Sequence, residues 1–271
     1  MATHISDKIT SYSNPLIKQM RSLSTRKGRA ESGLFLAEGT RLVTQGLDQD
    51  WLCTCLLVNS ESLDRSYIAD LVAKAAKRNC KIVQVPERLL GKVSRKDNPQ
   101  EVVAAFEQRA INLDRFQPLT KGIWLGLYEI RDPGNLGTIL RTADCAKISG
   151  VMLLENCCDP YSVEAVRASM GSIFDVPFAH VTFEEFNTWR KASGIFMIAA
   201  SVNGTTRFDS EIYPDKSVIL MGNEQSGLPP EIETLCDTLA IIPMRGGADS
   251  LNLAQATAIM TYEAWRQRNF Q

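Results

Sequence analysis

Three short polar loops, each leaving an apolar run, constrain this chain more than any other feature. They occupy residues 127–137, 221–229 and 242–252. Helical stretches separate the apolar runs, and apolar strands alternating with helices argue for a mainly parallel, buried sheet. Loops leaving the carboxyl ends of strands in such a sheet build the ligand crevice. Strands are expected over residues 123–127, 151–154, 195–201, 218–221 and 239–242. Helices fit residues 136–147, 162–170, 183–191 and 230–235, with a long last helix over about 251–268.

A smaller α/β unit precedes this one. Residues 35–37, 55–58, 82–85 and 102–106 read as strands, and residues 68–78 as a helix. Residues 14–29 suit a single helix, with Leu16, Ile17, Met20 and Leu23 on its apolar face. Pro118 and Gly122 mark a linker. The expected division is therefore residues 1–108, a linker over 109–121, and a second domain over 122–271.

Composition excludes several classes. At 44% hydrophobic and 23% charged, the chain has an ordinary globular balance. No apolar stretch approaches the roughly 20 residues of a membrane helix. The first residues lack the apolar run of a signal peptide, so a cytoplasmic protein without a membrane role is expected. The seven cysteines, Cys53, Cys55, Cys80, Cys145, Cys157, Cys158 and Cys236, read as reduced and mostly buried thiols. With only His4 and His180 available, no metal site is expected.

A net charge of −1 gives no broad basic footprint. The first thirty residues are nevertheless basic: Lys8, Lys18, Arg21, Arg26, Lys27 and Arg29 face a single acid, Asp7. This is either a basic arm or a solvated helical face.

The loops match none of the common phosphate grips. Gly-x-Gly occurs nowhere, which removes the dinucleotide fingerprint. The run from Gly222 to Gly227 continues into Leu228-Pro229, so a P-loop lysine is missing. Gly-x-Ser-x-Gly is absent as well.

Taken singly, the polar residues have ordinary explanations. Asn135 suits an N-cap. Arg141 falls on the polar side of its helix, where an arginine commonly pairs with an acid such as Asp144 or Glu129. Glu224 fits a helix-start charge or a loop hydrogen bond. Ser250 fits the N-cap of the last helix, and Asn252 a helix-end hydrogen bond.

As an ordered set, however, the loops closely resemble the three signature motifs of the SpoU/TrmH branch of the SPOUT RNA methyltransferases. Asn135-Leu136-Gly137 through Arg141-Thr142-Ala143 matches the first motif. Gly222-Asn223-Glu224 through Gly227-Leu228-Pro229 matches the second, and Ile242-Pro243-Met244 through Ser250-Leu251-Asn252 the third. The resemblance runs from about Gly122 to the end of the sequence. It is weaker upstream, where the chain is similar to the family's small, ribosomal-protein-like substrate-binding domain.

The resemblance implies an α/β sheet flanked by helices, with a deep trefoil knot that periodicity alone does not predict. It implies S-adenosylmethionine as methyl donor and a ribose 2'-hydroxyl of structured RNA as acceptor. Ribosomal RNA is expected; transfer RNA, or a catalytically silent RNA-binding protein on the same fold, are the alternatives. It implies a homodimer through the first and last helices of the second domain, with the active site at the interface. Ser201, Gly222, Ile242, Met244 and Leu251 would hold the donor. Arg141, Glu224, Ser250 and Asn252 would form the catalytic cluster, with Asn135 shaping it. RNA contacts are expected from Arg21, Arg26, Lys27, Arg29 and Arg131, with Arg95 and Lys96 nearby. An arginine side chain titrates above about 12, which makes Arg141 a poor base. Holding an RNA phosphate and stabilising the developing oxyanion suits it better, with a base role left open.

Overall fold

A computed structural model describes residues 7–109, 113, 116 and 120–271. The expected linker over 109–121 lies mostly outside the described residues. The chain divides into two compact units: residues 1–109 with 159–174, and residues 110–158 with 175–271.

The first unit contains β1 (Asp7–Lys8), α1 (Pro15–Ser22), α2 (Arg26–Ser32), β2 (Leu34–Glu38), α3 (Thr40–Asp48), β3 (Cys53–Asn59), α4 (Ser66–Lys77), β4 (Lys81–Val85), α5 (Glu87–Ser94) and β5 (Val102–Glu107). Its sheet has the order β1-β4-β3-β5-β2. β1, β4 and β3 are parallel, whereas β5 runs antiparallel to both β3 and β2. The single helix expected over residues 14–29 is two. Thr25 caps α2 by accepting from the Gly28 N–H at 3.1 Å, which turns the chain. The corner is tight: a Cβ on Gly28 would lie 2.1 Å from the Ser22 carbonyl oxygen.

The second unit contains β6 (Gly122–Tyr128), α6 (Pro133–Cys145) and β7 (Gly150–Leu154). The chain then contributes α7 (Val163–Ala168) and a short 3-10 turn (Ser172–Phe174) to the first unit. It resumes the second with β8 (Phe178–Val181), α8 (Phe183–Ala192), β9 (Phe196–Ala200), β10 (Thr206–Arg207), β11 (Lys216–Met221), α9 (Pro230–Glu233), β12 (Thr238–Ile241) and α10 (Leu253–Gln267). The sheet order is β10-β12-β9-β11-β6-β7-β8, and every pairing is parallel. The central strands are buried along nearly their whole length, as a sheet covered on both faces requires. Trp124, Met152, Phe186, Met197 and Leu220 lie in one core cluster.

The placement of residues 159–174 departs from the expected division. Tyr161 stacks at 4.7 Å from Phe35, and Phe174 lies 5.1 Å from Phe106 and 5.3 Å from Trp51. The Trp51 indole N–H donates to the Phe174 carbonyl at 3.0 Å. Gly46 leaves room for these rings, since a Cβ there would meet Phe106 and Phe174 below 3.0 Å. Large aromatic area, rather than sequence position, decides to which unit the segment belongs.

Candidate active site

The site is built where β6, β9, β11 and β12 end. A cavity of about 360 Å³ is lined by Ala200, Met221, Ala240 and Ile241 from the strands and by the loops that follow them. Ser201, Gly222, Ile242, Met244 and Leu251 all line it, as do Glu224 and Ser250. Gly222 is required less by a ligand than by its own loop. A Cβ there would lie 2.4 Å from the Gly227 carbonyl carbon and 2.6 Å from the Leu228 nitrogen.

Glu233 and Asn203 also line this cavity, and the sequence motifs did not point to either. Glu233 accepts from the Ser201 hydroxyl and, at 3.4 Å, from the Asn203 amide. Glu233 lies on α9, outside the loops that carry the motifs, so no spacing marks it.

A second cleft of about 630 Å³ is lined by Glu129, Arg131, Asp132 and Asn135 on one side and by Ser250, Leu251, Asn252 and Leu253 on the other. Residues 223–226 complete it. These four residues, with Ser250, Leu251 and Leu253, also line the first cavity, so the two spaces share a wall.

Glu224 ties that wall together. Its carboxylate accepts from the Arg131 N–H at 3.1 Å, from the Asp132 N–H at 3.1 Å and from the Asn135 side-chain amide at 3.2 Å. Asn252 in turn donates to the Asn135 side-chain carbonyl at 3.0 Å. Beside them Asn223 donates to the Glu129 carbonyl at 2.7 Å. Glu129 sits at φ 50°, a left-handed conformation that a non-glycine residue holds only when its surroundings enforce it. Burial pushes the neighbouring Cys157 thiol up to about 11 and, together with Cys157 and Glu224, the Cys158 thiol up to about 12.

Both helix caps differ from expectation. Asp132, not Asn135, caps α6, accepting from the Gly134 and Asn135 N–H groups at 2.6 and 3.1 Å. Pro133 then occupies the first helical position, where a missing N–H costs nothing. This frees the Asn135 side chain for Glu224. Asn252, not Ser250, caps α10, accepting from Ala254 and Gln255 at 2.9 and 3.3 Å.

The remaining expected residues divide three ways. Arg131 is exposed at the rim of the second cleft and pairs with Glu129 at 3.4 Å. Arg141 lines neither cavity; it is exposed on α6 and forms no ion pair among the described residues. In the first unit, Arg21, Arg26 and Lys27 are exposed, with Lys27 paired to Glu31 at 3.7 Å.

Arg29 is not a surface residue and cannot contact RNA. Only 4% of it is exposed. Its Nε and Nη2 donate to Asp159 at 2.8 and 2.7 Å, and its Nη1 to the Leu23 carbonyl at 2.9 Å. A buried guanidinium needs such partners, and they fix it as a tie between α2 and the 159–174 segment. Lys96 is likewise engaged with Glu38, at 3.1 Å. Among the thiols, Cys145 is exposed rather than buried.

A parallel sheet with a crevice at its strand ends, walled by Gly- and Asn-bearing loops, defines a small-ligand enzyme scaffold beside a polar cleft. Residues 122–262 match the SpoU rRNA Methylase family, and residues 14–104 match an MRM3-like substrate binding domain. The chain belongs to the SpoU rRNA methylase family. It is 32% identical to a 23S rRNA (uridine(2479)-2'-O)-methyltransferase from Streptomyces viridochromogenes, over 96% of this chain and 92% of that one. It is 25% identical to the Bacillus subtilis 23S rRNA (guanosine(2553)-2'-O)-methyltransferase RlmP, covering 94% and 98% of the two chains. The crystal structure of an AdoMet-bound rRNA methyltransferase from Sinorhizobium meliloti superposes with a TM-score of 0.89 at 41% identity, covering 96% and 97%.

Proposed function

We propose that this protein transfers a methyl group from S-adenosylmethionine to a ribose 2'-hydroxyl of ribosomal RNA. The carrying observation is the shared wall: a donor-sized cavity and a polar cleft meet along residues 223–226 and along Ser250, Leu251 and Leu253. The cavity volume falls within the range of small-molecule sites. Its apolar and backbone lining, with the Glu233 carboxylate and the Asn203 amide as polar anchors, suits a nucleoside carrying an amino-acid tail. Ser201, Gly222, Ile242, Met244 and Leu251 would hold it. When bound, S-adenosylmethionine supplies an electrophilic methyl on a sulfonium. The relatives' names favour ribosomal over transfer RNA.

The chain's own residues then align a weakly acidic hydroxyl and ease removal of its proton. Glu224 acts by position: three donors already occupy its carboxylate, so it holds the loop after β6 against the loop after β11. Asn135 and Asn252 extend that hold to the start of α10. Ser250 lines both spaces and offers a hydroxyl to the incoming substrate hydroxyl.

Arg141 supplies positive charge from a second copy of the chain. α10 exposes Gln255, Ile259, Tyr262 and Arg266, one stripe at helical spacing, and α6, against which α10 packs, exposes Thr138 and Arg141. Pairing of these helices in a homodimer covers the exposed Ile259 and Tyr262 and brings Arg141 of the partner subunit to the cleft. The trefoil knot implied by the family belongs to the same proposal, with the loops after β11 and β12 inside it.

The test has two stages: calorimetric binding of S-adenosylmethionine, then transfer of labelled methyl to a 23S rRNA transcript, with the product located by its resistance to alkaline cleavage. Donor binding with label on base rather than ribose would refute the reaction assigned here. Donor binding with no transfer to ribosomal or transfer RNA would leave the silent RNA-binding protein as the better reading.

A further inference from the structure

We infer that the groove between α1 and α5 is a binding site for the phosphate backbone of RNA. The inference rests on the RNA-modifying function proposed above and places a contact that none of the three motifs supplies. α1 and α5 pack against each other, and between them lies a groove of about 930 Å³. Lys18 and Arg21 line it from α1, and Arg88, Lys92 and Arg95 line it from α5 and its C-cap.

The spacing is what a continuous positive strip needs. Lys18 and Arg21 are three residues apart on α1, so they share a face. Arg88 and Lys92 are four residues apart on α5, again on one face, Arg95 follows at its left-handed C-cap, and all three are exposed. The buried residues of both helices, Ile17 and Met20 on α1 and Leu89, Leu90 and Val93 on α5, turn the opposite faces to the core. The cations are therefore held outward by packing.

Charge pairing does not account for them. Glu87 and Asp97 also line the groove, yet Lys18, Arg21, Lys92 and Arg95 form no ion pair among the described residues. A C-terminal helix end favours one or two cations, which covers Arg21 on α1 and Lys92 and Arg95 on α5 but not Lys18. Several cations elsewhere in the same unit are matched. Lys74 and Arg78 pair with Asp48 and Asp50, and Arg65 pairs with Glu101. In a chain of net charge −1, four unmatched cations along one groove define a local polyanion site.

The occupant is RNA rather than an acidic peptide because of Tyr12, which lines the groove and is 41% exposed. An aromatic face beside a cationic track suits a strand whose unpaired bases can stack while its phosphates meet the lysines and arginines. The contact carries affinity and register, not sequence.

The experiment uses the full-length protein and a labelled 23S rRNA transcript. Two charge-reversed pairs are made, Lys18→Glu with Arg21→Glu and Lys92→Glu with Arg95→Glu, and thermal melting checks that each is folded. Binding is followed from low to moderate salt. Each pair is expected to weaken RNA binding about tenfold and to flatten the plot of log affinity against log salt by roughly one to two units. Tyr12→Ala is expected to weaken binding with the salt slope unchanged, as stacking loss does. The loss should fall on KM for RNA, with S-adenosylmethionine affinity retained.

Wild-type affinity and salt slope in both charge-reversed pairs would overturn the groove. So would an equal loss of binding to polyglutamate and to RNA in the Tyr12→Ala variant, since the site would then accept acidic protein equally. Absence of methyl transfer by the wild-type protein would instead count against the function proposed above, and binding alone would still decide the groove.

Discussion

The side-chain amide of Asn135 donates to Glu224 at 3.2 Å while its carbonyl accepts from Asn252 at 3.0 Å, so both ends of one small side chain are committed. A carboxylate at position 135 would sit against Glu224 with no donor to offer. Asn135→Asp is therefore expected to reduce methyl transfer more than Asn135→Ala. Because two adjacent carboxyls raise the pKa of one of them, its activity should recover partly as pH falls toward 5, where a shared proton restores a hydrogen bond. A flat pH ratio between the two variants would sink this account.

Glu224→Gln keeps the shape and removes half of the acceptor capacity. Its amide end must face either the Arg131 N–H or the donors from Asp132 and Asn135. The expected cost is about 1–3 kcal/mol in stability, as for a donor left without its acceptor, discounted for the partial exposure of the site. Urea denaturation should show it, together with a fall in kcat larger than any change in donor affinity.

The trans role of Arg141 can be tested by mixing. Arg141→Ala and Glu224→Gln subunits, each impaired alone, are combined after mild dissociation. If the arginine acts across the interface, half of the dimers are mixed and each carries one intact site. Recovery of about one quarter of wild-type activity is expected. No recovery, with mixed dimers shown by mass spectrometry, would place Arg141 in its own subunit's site.

Asp159→Ala should destabilise the protein more than Arg29→Ala. Removing the aspartate strands a buried guanidinium, whereas removing the arginine leaves a carboxylate whose side chain is 19% exposed. A difference of about 1–2 kcal/mol in this direction is expected from the cost of an unpaired buried charge. Equal denaturation midpoints would argue that Leu23 alone satisfies Arg29.

Burial pushes the Cys157 and Cys158 thiols up to about 11 and about 12, and the thiolate is the reactive form. At pH 8 both should resist iodoacetamide in the native protein and react once it is unfolded. Peptide mass spectrometry distinguishes the two cases.

The second sheet was legible because its strands are apolar throughout and its helices amphipathic; each expected strand was found within a few residues of its place. The five proposed donor residues line one cavity, since strand ends in a parallel sheet converge. What escaped detection depended on tertiary partners. β10 is two residues long and pairs through Thr206 and Arg207 alone. Arg29 looks like any helical surface cation until Asp159, far along the chain, arrives beside it. Asn135 looks like a cap in sequence, but Asp132 caps the helix and Pro133 takes its first position.

The aromatic cluster that claims residues 159–174 also bears on synthesis. As the chain leaves the ribosome, Phe35, Trp51 and Phe106 emerge well before Tyr161 and Phe174. The earlier rings must wait, with apolar area uncovered, while β6, α6 and β7 are made. The amino-terminal unit thus matures only after part of the second unit exists, and a gene truncated at residue 109 should yield a sticky fragment instead of a freestanding module.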